Sequence, residues 1–64
     1  MRLVRTLRNL LNIQQDELAR RAGISARELS RIEKAVAVPT PETIAGLDAA
    51  FTKLLDERAR ASAA

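Results

Sequence analysis

The segment from Gln15 to Lys34 constrains the fold more than any other part of this 64-residue chain. Small and apolar residues recur at helical spacing on both sides of Gly23, and a glycine there permits the positive φ of a tight turn. The residues on the predicted inward faces are Leu18, Ala19, Ala22, Leu29 and Ile32. The pattern predicts two short helices joined by a tight turn, with Ala19 small enough for a close crossing.

The outward face of the second of these helices is basic. Arg31 and Lys34 follow Arg27 at offsets of four and seven residues, which puts all three on one side of a helix. Residues 1–34 hold eight Arg or Lys against four acids, whereas residues 35–64 hold three against four. This excess of positive charge in the first half favours a polyanionic partner. A helix with such a face is suited to the major groove of DNA.

The composition argues against other classes of function. The chain has neither Cys nor His, so we expect it to bind no metal and no cofactor. We also expect that it is not an enzyme, because Ser25, Ser30 and Ser62 have no base nearby to activate them. Phe51 is the sole aromatic residue, whereas proteins that bind single strands stack bases on aromatic rings. No apolar run suits a signal peptide or a membrane span, so we expect a cytoplasmic protein without a membrane partner.

Capping residues predict where the first three helices begin and end. The first helix is expected over residues 2–11, and Asn12 then tolerates a left-handed turn. Its predicted inward stripe is Leu3, Val4, Leu7 and Leu11. The second helix is expected to begin at Gln14 or Gln15. Ser25 and Glu28 form a capping box, so the third helix begins at residue 26 and runs to about residue 34.

A long fourth helix is predicted from about residue 41 to about residue 58. Pro39 keeps Val38 extended, and Thr40 followed by Pro41 has the form of an N-cap and a first helical position. Its predicted apolar stripe is Ile44, Leu47, Phe51, Leu54 and Leu55. The last residues, ASAA, are expected to fray. We therefore expect one all-α domain over residues 1–64.

The stretch LRNLLNIQQDELARRAGIS, with RIE and PTPET after it, resembles the phage repressor and Cro-like (XRE-type) helix-turn-helix family. The likeness covers roughly residues 3–55. It implies a compact repressor-like domain of four to five helices, with the helix-turn-helix at residues 15–34, in a bacterial or phage-encoded protein. The second helix of the helix-turn-helix, which is the third helix of the chain, would enter the major groove of double-stranded DNA.

The resemblance also implies which residues meet DNA. They are Gln14, Gln15, Ser25, Ala26, Arg27, Ser30, Arg31 and Lys34. We expect Arg27 and Arg31 to read bases, because a guanidinium bonds guanine O6 and N7 bidentately. The alternative for both is a solvated face paired with Glu28 or Asp16. Gln14 and Gln15 would meet a phosphate.

A structural ion pair between Arg8 and Glu33 is implied in the same way. Three departures from the family pattern also matter. Gln14 stands where Ser, Thr or Asn normally caps. Ala35 replaces a glycine or asparagine, which predicts that the third helix runs on or that the turn has another form. Val36 and Ala37 replace polar residues that often touch phosphates.

The apolar loop AVAVP, residues 35–39, has two interpretations. The favoured one is that Val36 and Val38 tuck under the fourth helix. The other places them in a dimer interface, whose candidate residues are Val36, Val38, Phe51, Leu54 and Leu55. The expected function is a sequence-specific transcriptional regulator, a homodimeric repressor that reads a palindromic operator. The alternative is an antitoxin-like module whose C-terminal helix binds a partner protein.

Overall fold

The computed structural model describes residues 2–63, and the all-α prediction is confirmed over that range. The four helices are α1, Arg2–Leu10; α2, Gln15–Ala22; α3, Ala26–Glu33; and α4, Pro41–Ala63. Helices α2 and α3 form the predicted helix-turn-helix, and α4 packs mainly on α2. None of these helices combines the length and the apolar character that crossing a membrane requires.

The core lies where α2 and α3 cross. Leu18 and Leu29 are fully buried, and Ala19 between the helices is almost so, which confirms their predicted inward positions. The buried cluster consists of Val4, Ile13, Leu18, Ala19, Leu29, Leu47 and Ala50. Ile32 is also buried, and Ala22 packs partly buried against the cluster. These contacts fix the crossing angle and leave the opposite side of α3 in solvent.

The predicted inward stripes of α1 and α4 are partly wrong. Leu3 is 63% exposed, and Ile44 and Leu55 also lie largely in solvent. Thr43 and Ala50 are buried on α4 instead. The prediction counted large apolar residues, whereas α4 turns a face with small residues toward α2. Gly46 shares that face, and the close approach of its backbone to α2 leaves no room for a larger stripe.

The caps largely follow the sequence, although within residues 2–63 the capping box of Ser25 and Glu28 has only its Ser25 half. The Thr40 Oγ1 accepts a hydrogen bond from the Thr43 amide at 3.2 Å, and the Ser25 Oγ accepts one from the Glu28 amide at 3.0 Å. Gln14 precedes α2 without a side-chain cap, as its departure from the family pattern predicted. Strong caps therefore begin α3 and α4, and a weak one begins α2.

Helix α4 is longer than predicted. It continues to Ala63 and not merely to about residue 58, so Ala61 and Ser62, which were expected to fray, are helical; Ala64 lies outside the described residues. Alanine is the best helix former, and Arg60 pairs with Asp56 one turn away at 3.0 Å. Both effects extend the helix beyond the last core contact.

Two predictions for the AVAVP loop are wrong: that Ala35 lets α3 run on or gives its turn another form, and that Val36 and Val38 tuck under α4. Helix α3 ends at Glu33 and does not run on, and Ala35 takes the ordinary left-handed turn conformation with φ of 59°. The amide of Val36 then bonds back to the carbonyl of Arg31 at 2.9 Å, which holds the loop at the end of α3. Val38 is 93% exposed and Val36 is also in solvent, so neither tucks under α4.

Candidate nucleic-acid interface

The outer face of α3 is positioned by the burial of its inner face. Leu29 and Ile32 lie in the interior, so residues half a turn away are directed outward. Arg27 and Arg31 are exposed, and neither forms an ion pair or side-chain hydrogen bond with any other residue between 2 and 63. The alternative pairing with Glu28 or Asp16 is therefore not what the structure contains. Two guanidinium groups stand available on this face.

Arg27 and Arg31 border an open depression of about 560 Å³, together with Ser25, Glu28 and Ala37. From the sequence, Glu28 was expected only in a helix cap or as an alternative partner of Arg27 and Arg31, and Ala37 only as a lost phosphate contact. The structure places both beside the candidate base-reading residues. A carboxylate here can accept a hydrogen bond from cytosine N4, so Glu28 belongs to the candidate interface. Its position one residue after Arg27 was the available signal.

A second depression, of about 300 Å³, gathers residues from three helices. It is lined by Arg5, Arg8, Gln15, Ser30, Glu33 and Lys34. The predicted contacts Gln15, Ser30 and Lys34 thus come together here, at the start of α2 and the end of α3. Arg5 was missed, although it lies three residues before Arg8 and so on the same side of α1. Because Glu33 neutralises Arg8, Arg5 and Lys34 are the cations around this concavity that suit a phosphate group.

Other predicted contacts lie around these two depressions. Gln14 and Ala26 are exposed at the starts of α2 and α3, and Ser25 is exposed at the cap of α3. Because the Gln14 side chain does not cap α2, it leaves the first amides of that helix available to an anion. The residues predicted for DNA binding therefore occupy the outer face of α3 and the adjoining ends of the helices.

The Arg8–Glu33 ion pair supports this face from beneath. The Arg8 Nε and Nη2 donate to the two carboxylate oxygens of Glu33 at 2.8 and 3.0 Å, and Arg8 Nη1 also donates to the Ile13 carbonyl at 3.2 Å. The side chains are 16% and 4% exposed, respectively. Hydrogen bonding to Glu33 raises the pKa of the Arg8 guanidinium above its ordinary value, although desolvation opposes this.

Gln15 is tied to the same pair. Its Nε2 donates to Glu33 Oε1 at 3.2 Å, so one carboxylate connects α1, the start of α2 and the end of α3. The amide of Gln15 is thereby oriented while its main chain begins α2. Arg8 and Glu33 act as positioning residues, because they set where Gln15 and the end of α3 stand relative to each other.

A comparison with protein families matches the helix-turn-helix model to residues 4–57, which is most of the chain. This chain belongs to the XRE-type helix-turn-helix family. The helix-turn-helix protein is accordingly a regulator that binds double-stranded DNA. Searches of the curated proteins and of the solved structures gave no significant match. The match spans α2 and α3 in full, together with most of α1 and of α4.

Proposed function

We propose that this helix-turn-helix protein is a sequence-specific repressor that binds a palindromic operator as a homodimer. The observation that carries the proposal is the exposed, unpaired state of Arg27 and Arg31 on the face of α3 opposite its buried side. A helix in the major groove with such residues reads guanines directly. Repression then needs only that the bound protein occludes a promoter.

The remaining contacts divide by chemistry. Gln14, Gln15 and Lys34 would hold phosphates, because they lie at or beside the open amides of α2 and the basic depression. Ser30 lines the same depression and would meet a phosphate or water. Ser25 lies at the exposed cap of α3, and Ala26 is small enough to contact a thymine methyl group. Phosphate contacts fix the register, and base contacts supply the selectivity.

A dimer follows from the length of DNA that one α3 can read. One recognition helix reads only a few base pairs, which gives too little selectivity in a genome. Two copies related by a two-fold axis read two half-sites about one helical turn apart. The expected operator is therefore an inverted repeat.

The decisive experiment is selection of bound duplexes from a random pool, repeated at several salt concentrations. The wild-type protein is expected to enrich a two-fold-symmetric motif. Arg27→Ala and Arg31→Ala should each relax the base preference at one position per half-site, whereas Gln15→Ala should weaken binding evenly across sequences. Arg60→Ala, at an exposed position near the end of α4, is the matched control. Unchanged base preference in both α3 variants would refute the assignment of the reading residues.

A second candidate function is an antitoxin-like module that binds a partner protein. The observation in its favour is that α4 exposes Ile44 and Leu55 and continues past the core. Size-exclusion chromatography with light scattering, with and without the co-expressed products of neighbouring genes, distinguishes the two. A defined complex that forms only with one such product would favour this function over the homodimer.

A further inference from the structure

One flank of α4 carries a seven-residue repeat, of which the fold of a single copy buries only Phe51, and that only in part. The residues of this flank are Ile44, Asp48, Phe51, Leu55, Arg58 and Ser62. They follow one another at alternating steps of four and three, which is the spacing of a coiled-coil seam. Leu55 is 53% exposed, and Ile44 is nearly as accessible, while Phe51 is half-buried. We call this surface the α4 flank.

The α4 flank lies beside an open apolar groove. Leu3 and Leu7 of α1 border this groove on one side, and Ile44, Asp48 and Phe51 of α4 border it on the other. Its volume is about 240 Å³. The exposure of Leu3 shows that α1 only partly covers α4 here. A helix laid along the α4 flank would cover both Leu3 and the exposed aliphatic residues of α4, whose burial favours association.

The order of residues along the flank determines which helix fits. When the flank is paired with an antiparallel copy of itself about a point between Phe51 and Leu55, each Phe51 meets a Leu55. In the same register each Asp48 meets an Arg58, and each Ile44 meets a Ser62. Every facing pair joins one position of the repeat to the other, as in antiparallel coiled coils. The flank is therefore complementary to itself under a two-fold rotation.

We propose that two copies of this chain associate through the α4 flank, antiparallel, with Asp48 of each copy paired to Arg58 of the other. Both residues are exposed, and neither forms an ion pair within residues 2–63. A parallel pairing would instead set Asp48 against Asp48 and Arg58 against Arg58, which is repulsive. The charges therefore select the antiparallel arrangement.

The inference rests on the homodimer of the proposed function and assigns its interface. It moves that interface away from the AVAVP loop, although Val36 and Val38 are exposed. Of the candidate dimer residues, the flank retains Phe51 and Leu55. Phe51 and Leu54 both pack partly buried against the core of their own copy, but Phe51 also borders the open groove, whereas Leu54 does not.

The test exchanges the two charges. Neither Asp48 nor Arg58 has a charged residue three or four positions away in α4, so an exchange disturbs no pair within the helix. Asp48→Arg and Arg58→Asp should each weaken the dimer about tenfold or more, because each turns two attractions into two repulsions. The double variant should restore the wild-type dissociation constant. Sedimentation equilibrium of the full chain without DNA measures all three.

Controls separate pairing from folding and from DNA binding. Lys53→Glu changes a charge on the opposite side of α4 and should leave the dimer intact; circular dichroism checks that each variant folds. A monomeric wild type, single variants that still dimerise normally, or a double variant that stays monomeric would each overturn the proposal. Loss of the dimer in Val36→Ser or Val38→Ser would overturn it in favour of the loop. Duplex selection is scored separately, so a monomer that still selects a motif leaves the DNA-binding proposal standing.

Discussion

The two turns that flank α3 share one pattern of backbone hydrogen bonds but are built from different residues. At the first, the amides of Gly23 and Ile24 bond back to Arg20 and Ala19 at 3.2 and 2.9 Å. At the second, the amides of Ala35 and Val36 bond to Ile32 and Arg31 at 3.0 and 2.9 Å. Both turns form the same pattern around one left-handed residue. In the first that residue is glycine, and in the second it is alanine.

The residues that follow differ as well. Ile24 packs against the core, whereas Val36 faces solvent. The first turn leads directly into the Ser25 cap, so the start of α3 is fixed by backbone and packing. At the end of α3, the residue after the turn adds no such packing; there the buried Ile32 is followed by Glu33, which accepts hydrogen bonds from Arg8. The turn before the recognition helix is thus packed against the core, whereas the turn after it is exposed and an ion pair supports that end of the helix.

Arg8→Ala should have the largest effect, because it removes what holds the end of α3. Glu33 would remain buried without its cation, and we expect the free energy of unfolding to fall by about 3 kcal/mol. Urea denaturation followed by circular dichroism measures this. Arg2→Ala, at an exposed site on the same helix, should change stability by less than about 0.5 kcal/mol. Equal midpoints for the two variants would mean that the pair does not hold α3.

Gly46→Ala tests what supports the turn between α2 and α3, at the start of the recognition helix. A Cβ on Gly46 would run into the backbone carbonyl oxygen of Ala22, the last residue of α2 before the Gly23 turn. We expect a loss of about 2 kcal/mol from this overpacking. Helix propensity alone predicts the opposite sign, since alanine favours a helix over glycine by about 1 kcal/mol. Ala49→Gly, at an exposed position in α4, measures that propensity, and a stabilised Gly46→Ala variant would contradict the close contact.

Gly46 also illustrates how far the sequence predicts this fold. The helix-turn-helix, its caps and the outward face of α3 were predictable, because Gly23, Ser25 and the spacing of Arg27 and Arg31 act locally. The buried face of α4 was not, since Gly46 and Ala50 gain their roles only from the approach of α2. In sequence, a glycine inside a helix pattern indicates only weaker helix formation.

The candidate DNA interface was likewise predictable only in part. The candidate reading residues lie on one helix, so periodicity alone predicted their shared face. Arg5 joins Gln15 and Lys34 through the packing of three helices, which no local pattern encodes. The exposure of Val36 and Val38 likewise depends on where the loop after α3 is directed. Apolar character alone predicted burial there, and the prediction was wrong.

Gly23→Ala should cost about 1 kcal/mol, through the backbone alone. The φ of Gly23 is 76°, but a Cβ added there would meet no atom of residues 2–63 within 4 Å. The cost therefore comes from the left-handed conformation and not from a clash. Thermal unfolding is a suitable measurement, and Gly23→Asn is the control, because asparagine tolerates this conformation better. An alanine variant as stable as the wild type would show that this turn carries no conformational demand.

Ala35→Gly is the converse change at the second turn and should stabilise the protein by up to about 1 kcal/mol. Ala35 holds φ at 59°, where its Cβ is strained, and glycine relieves that strain at the expense of a more flexible unfolded chain. The gain should be smaller than the loss in Gly23→Ala, because the exposed loop at Val36 can relax where the packed turn at Ile24 cannot. A double variant, Gly23→Ala with Ala35→Gly, should therefore unfold slightly more easily than the wild type. If Ala35→Gly destabilises the protein while Gly23→Ala is costly, the two turns do not share the same conformation in solution.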